Sequence, residues 1–150
     1  MTKLSPTVLY QERALPSLGF YAATLFVPVA LFLISLPFSE VVGLIVAVMS
    51  ILSIIFLSWI LAPLITLTTE HLSLGKVSIE KKWLGSAIEV TGKDAFLERG
   101  PRLDTRAFTR FQIGVKSLVK IELVDPQDPT PYWLIATRNP EVLAGLINKG

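Results

Sequence analysis

The sequence predicts an α+β membrane protein: an antiparallel two-helix transmembrane hairpin, then a small β-rich domain that closes with a helix. Three observations carry this. Between Ala14 and Thr69 the only charged residue is Glu40, whereas charges recur every few residues from Glu70 onward. Two apolar runs lie in that stretch, and only "PFSE" separates them. Beyond residue 70, short alternating segments are punctuated by Gly and Pro until a final run takes on helical spacing. The expected boundaries are a cytoplasmic N-terminal segment over 1–16, the hairpin over 17–63 and the β-rich domain over 64–150.

The first run, "SLGFYAATLFVPVALFLISLPF", spans Ser17 to Phe38. Crossing a hydrocarbon core of roughly 30 Å takes about 20 apolar residues. A secretory signal would have an apolar region of roughly 7–15 residues and a small-residue cleavage site. This run is longer, and "SLPFSE" is a poor cleavage site. Pro28 lacks the N–H that a helix interior requires and should kink the helix, while Pro37 should end it. The second run extends from Val41 to Thr69. Pro63 should stop its helix, and the β-branched "LITLTTEHLSLG" that follows reads as a strand. Gly43, Ala47 and Ser50 fall at i, i+4, i+7, a spacing that lets helices approach closely. Packing against the first span and a homodimer face both fit it.

A connection as short as "PFSE" forces the two spans antiparallel, so both chain ends share one side. Lys3 and Arg13 precede the first span, Lys76, Lys81 and Lys82 follow the second, and the connection carries only Glu40. The positive-inside rule then makes both termini cytoplasmic and the protein a multi-pass component of the plasma membrane. Phe20, Tyr21 and Trp59 sit about one turn inside the same boundary, where aromatic residues concentrate. No ionisable residue lies mid-span, which argues against a two-span carrier acting alone.

In the remainder, "HLSLG" and "KVSIE" read as two strands joined at Gly75-Lys76. "SAIEVT", "AFTRFQIGV", "SLVKIELVD" and "PYWLIATR" read as further strands. "DPQDPTP" is a stiff connection in which Asp125 and Asp128 bond nearby amides as turn residues. Asn139 suits an N-cap, Pro140 the first helical position and Glu141 the first turn. The closing helix should bury Val142, Leu143, Leu146 and Ile147. The expected product is one small bent sheet capped by that helix, the layout of pleckstrin-homology-like domains.

"GKVSIEKKWLG", "DTRAF" and above all "DPQDPTPYWLIATRNPEVLAGL" resemble a family of small actinobacterial integral-membrane proteins known as a domain of unknown function. The resemblance covers nearly the whole chain. It departs at Thr105, where the family has proline. It implies a cytoplasmic, membrane-anchored, non-enzymatic protein. It supplies no reaction or ligand.

Candidate chemistry is sparse. With no cysteine, disulfides, thiolate metal sites and cysteine nucleophiles are excluded. A net charge of +2 makes no case for nucleic acid. His71 alone cannot build a zinc site, and no phosphate loop or nucleophile elbow occurs. No catalytic, metal or cofactor residue is assigned. Between Lys93 and Lys120, seven cations stand against three anions. Arg99, Arg102, Arg106 and Arg110, with Trp83, Tyr132 and Trp133, are therefore the expected contacts for anionic lipid headgroups, another membrane protein or a second copy. Tyr132 and Trp133 should face opposite sides of their strand, one inward and one exposed. The reading is a non-catalytic accessory or scaffold module. Two alternatives are an enzyme acting on a membrane-borne substrate through His71, Asp125 or Asp128, and a small subunit of a transporter or channel complex. The enzyme requires those three side chains to meet in one pocket. The binding module requires the arginines and an aromatic to form one exposed patch.

Overall fold

The computed structural model describes residues 7–149, so Lys3 lies outside the described residues. The chain divides into two compact units: Leu15–Ala62, and the residues up to Ala14 together with those from Pro63 onward.

The first of these is helical. Helices α1 (Leu18–Thr24) and α2 (Phe26–Ser35) form the first apolar segment, and α3 (Glu40–Leu61) forms the second. The break at Leu25 lies one turn before Pro28, whose ring excludes the carbonyl at i−4 and offers it no donor. Ser17 and Ser39 cap α1 and α3 with their hydroxyls, and Glu40 in the first turn suits the helix dipole. At 1.5 Å per residue α3 is roughly 33 Å long, a bilayer core's thickness. Gly43 is buried where α3 meets α2, because an added Cβ would come within 3.2 Å of the Phe32 backbone oxygen. Close packing within the pair thus accounts for that glycine. Otherwise the helices expose their apolar side chains. Only Pro28 is buried on α2, and only Gly43 and Ser58 on α3. A core helix of a soluble domain has the opposite pattern.

The other unit holds two four-stranded sheets. Sheet A runs in the order β1 (Val8–Arg13), β2 (Leu64–Thr68), β3 (His71–Leu74), β4 (Val77–Glu80). Pro63 ends the apolar helix and β2 begins at once, as the β-branched sequence predicts. Gly75 takes φ +62° as the first turn residue between β3 and β4, a conformation glycine adopts without steric cost. The lead-in segment is not a passive tail. β1 pairs antiparallel with β2, Arg13 opposite Leu64, so the strands flanking the helical segment are neighbours.

Sheet B contains β5 (Leu84–Val90), β6 (Phe108–Arg110), β7 (Leu118–Leu123) and β8 (Tyr132–Ala136), ordered β5-β7-β8-β6. The single bent sheet expected from the sequence is therefore two sheets, and β6 runs parallel to β8. On one face of sheet B, Ala87, Val119, Ile121, Trp133 and Ile135 meet Ile65, Leu67, Leu72 and Leu74 of sheet A. Helix α5 (Pro140–Asn148) adds Leu143, Ala144 and Ile147 to that core. On the other face, helix α4 (Gly92–Arg99) brings Ala95 against Val90, Leu118, Tyr132, Leu134 and Ala136. Two expectations for α5 change. Val142 is 52% exposed, because the buried face is Pro140, Leu143, Ala144 and Ile147. Asn139 precedes the helix without a side-chain cap bond. At the far end the Asn148 amide grips β5, accepting from the Ala87 N–H at 2.9 Å and donating to its carbonyl at 2.8 Å.

Candidate functional site

Two surface features of the β-rich unit carry unusual chemistry. The first centres on α4, where Lys93, Phe96 and Arg99 recur at the spacing of one helix face. Phe96 is 75% exposed. Arg99 reaches over the chain beyond β6, donating from Nη2 to the Val115 carbonyl at 2.6 Å. Its guanidinium lies 5.5 Å from the Phe111 ring centre. Burial lowers its pKa from the ordinary arginine value, and its Nε is buried without a partner. Phe111 and Ile113 are exposed beside it. Arg110 and Lys116 border them, and both are exposed with no ion-pair partner among the described residues. Exposed apolar side chains and unpaired cations therefore alternate along α4 and the segment around Phe111.

The other arginines of the expected contact set are engaged. Arg102 pairs with Asp94 at 3.1 Å. Arg106 clasps Asp104 through Nε at 3.2 Å and Nη2 at 3.0 Å. Hydrogen bonds from Arg106 hold the Asp104 carboxyl below its usual range. These are exposed pairs, which contribute little to stability and exchange readily.

Tyr132 is not a surface contact. It is buried under this loop, where its hydroxyl accepts the Asp104 N–H at 2.9 Å. Lys120 lies 4.3 Å from its ring centre and pairs with the nearly buried Glu98 at 2.9 Å. Trp133 does not join the arginines either. It is 5% exposed and packs against the Phe108 ring at 4.6 Å. The sequence reading placed the two rings on opposite faces correctly but left one face open. It is closed because β8 lies inside its sheet and α4 covers the second face, which gives the unbroken apolar run of a doubly covered strand. The aromatics that do accompany the arginines, Phe96 and Phe111, were missed. Their signal was the Lys93-Phe96-Arg99 spacing, in a stretch to which the sequence reading assigned no helix.

The second feature is a groove of about 450 Å³, lined by all four residues of β4 and by His71, Trp83, Asp125, Asp128 and Trp133. The β3–β4 hairpin supplies one wall and the β7–β8 connection the other. Asp125 Oδ1 accepts the Gln127 N–H and Asp128 Oδ1 the Thr130 N–H, each at 2.9 Å. These are the Asx turns that the Asp-Pro spacing predicts. Hydrogen bonds from Thr130 also keep the Asp128 carboxyl below its usual range. On the rim, Lys82 pairs with Glu80 at 2.5 Å and lies 5.0 Å from the Trp83 ring centre. Among the described residues no three His, Asp or Glu side chains are grouped to hold a metal ion. Trp83, Trp133, His71 and both aspartates thus share one site, separate from the arginine loop.

A family model described as "Protein of unknown function (DUF3093)" matches residues 9–147. No curated protein and no solved structure matches the chain.

Proposed function

The chain belongs to the DUF3093 family of proteins of unknown function, and from that premise we propose that it is a membrane-anchored, non-catalytic accessory module whose β-rich unit engages anionic lipid headgroups at the cytoplasmic face. The observation that carries this is the surface where Arg99 lies on Phe111, with Phe96 and Ile113 exposed and Lys93, Arg110 and Lys116 interspersed along the same segments. Apolar side chains among cations suit a headgroup boundary, where each basic residue contributes about 1 kcal/mol. Anchoring is supported by two helices long and apolar enough to cross a bilayer, with most of their apolar side chains exposed. The orientation rests on Arg13, Lys76, Lys81 and Lys82 flanking the pair while Glu40 alone lies in the connection.

The test uses the absence of native cysteine. A Phe96→Cys variant carrying an environment-sensitive fluorophore is reconstituted in nanodiscs of phosphatidylcholine alone or with phosphatidylglycerol added. The emission should shift to the blue only with the anionic lipid, and salt or the Arg110→Glu/Lys116→Glu pair should reverse it. Identical spectra in both lipids would overturn the reading.

One observation favours a second reading, an enzyme acting on a membrane-borne substrate: His71, Asp125 and Asp128 do line one groove. Both aspartates, however, already give an oxygen to a turn amide. Turn formation therefore accounts for their positions without catalysis.

A further inference from the structure

We propose that the groove along β4 binds an extended peptide segment bearing lysine or arginine, which joins sheet A as a fifth strand. This rests on residues different from those of the lipid-facing surface, so either can fail without the other. β4 is the outer strand of sheet A. The two-residue turn at Gly75-Lys76 makes Leu74 and Val77 the hydrogen-bonded closing pair, and the pattern alternates from there. Ser78 and Glu80 therefore fall at non-hydrogen-bonded positions, with their amides and carbonyls turned to the free edge. The bond from the Lys81 N–H to the Glu70 carbonyl keeps the same alternation. An edge of this kind is a template for an added strand.

The opposite wall carries what an edge alone lacks. Glu80, Asp125 and Asp128 line the groove, and among the described residues no lysine or arginine does. Each aspartate spends one oxygen on its turn, which leaves the other for a ligand. A carboxylate beside an indole face is an environment that holds an ammonium or guanidinium group. The rim already does so with the chain's own Lys82, between Glu80 and Trp83. Trp133 is 5% exposed yet lines the groove, so its indole borders the space that an added strand would occupy. Edge amides and carbonyls, an indole face and a carboxylate pair are together the complement of a basic strand.

The full chain in phosphatidylcholine nanodiscs is titrated calorimetrically with a peptide of about ten residues alternating Thr and Lys, a usual strand length. A second peptide carries Glu in place of Lys. Two variants are compared. Asp125→Asn/Asp128→Asn removes the charge and keeps the turn chemistry. Ser78→Pro removes an edge donor where proline is tolerated, since that N–H does not serve β3. The Lys peptide should bind saturably and the Glu peptide should not. The asparagine pair should weaken binding about tenfold, or about 1.4 kcal/mol. Ser78→Pro should abolish it. Equal binding of both peptides, no binding of the Lys peptide, or full binding by Ser78→Pro overturns the proposal. So does displacement of the peptide by ethanolamine-headgroup lipid, or self-association through β4 in place of peptide uptake. Should Ser78→Pro fail to fold, the asparagine pair decides.

Discussion

Tyr132 and Trp133 are neighbours in the chain but serve opposite faces of β8. Tyr132 supports the arginine loop through the Asp104 amide, and Trp133 joins the core between the sheets while lining the groove. Tyr132→Phe should cost about 1 kcal/mol, the net worth of one hydrogen bond. It should also speed amide exchange at Asp104, measured by hydrogen exchange, without moving the core strands. Trp133→Ala should cost about 3–5 kcal/mol through the cavity it leaves, read from thermal unfolding in detergent. Asp104 and Asp128 carry a pH dependence of defined sign. Their folded pKa values lie below the ordinary carboxylate value of about 4. Their contribution is therefore complete above that value and is lost as pH falls through the lowered ones. Because both carboxylates are reached by solvent, stability should hold from neutral pH to about pH 5 and fall only slightly on their account below about pH 4, with a smaller decline in Asp104→Asn/Asp128→Asn. An equal decline in that variant would assign the acid sensitivity to other groups.

Gly43 shows how one position sets the packing of an element. Gly43→Leu would drive a side chain into Phe32 and Ser35 of α2, so the α2–α3 pair should loosen. Cysteines placed on α2 and α3 should then cross-link less. Elements whose breaks are chemical were legible in the sequence: Pro28, Pro37 and Pro63 delimit the helices, and Gly75 turns the β3–β4 hairpin. The missed elements carry no such mark. The buried residues of α4 are Ala95 and Glu98, so its inward face is not an apolar stripe. β1 is an edge strand whose partner lies about fifty to sixty residues further along the chain. Its anchor is Glu12, which accepts from the Tyr10 hydroxyl, from Thr137 Oγ1 and, at 2.9 Å, from the Arg138 N–H. Burial and this carboxylate raise the Tyr10 pKa. Glu12→Ala leaves these donors unpaired and should cost about 1–3 kcal/mol. Amide exchange should rise first in β1.

At the scale of the molecule, charge density changes abruptly near residue 70, and the chain divides into a helical unit, Leu15–Ala62, and a β-rich one. The division is not collinear with the chain. β1 precedes the helices yet belongs to the sheet that follows them, a pairing that local patterns cannot reveal. The groove was half legible for the same reason. Asp125, Asp128 and His71 were singled out one at a time, but their meeting with Trp83 and Trp133 depends on how two sheets stack. The central claim is that the helical pair crosses the membrane and returns the β-rich unit to the cytoplasmic face. The cysteine-free chain permits a direct measurement. Ser39→Cys and Lys76→Cys variants, expressed separately, are exposed to a membrane-impermeant maleimide in intact cells and again after permeabilisation. The account predicts labelling of position 39 in intact cells and of position 76 only after permeabilisation. The reverse pattern, or both positions labelled from outside, would contradict it.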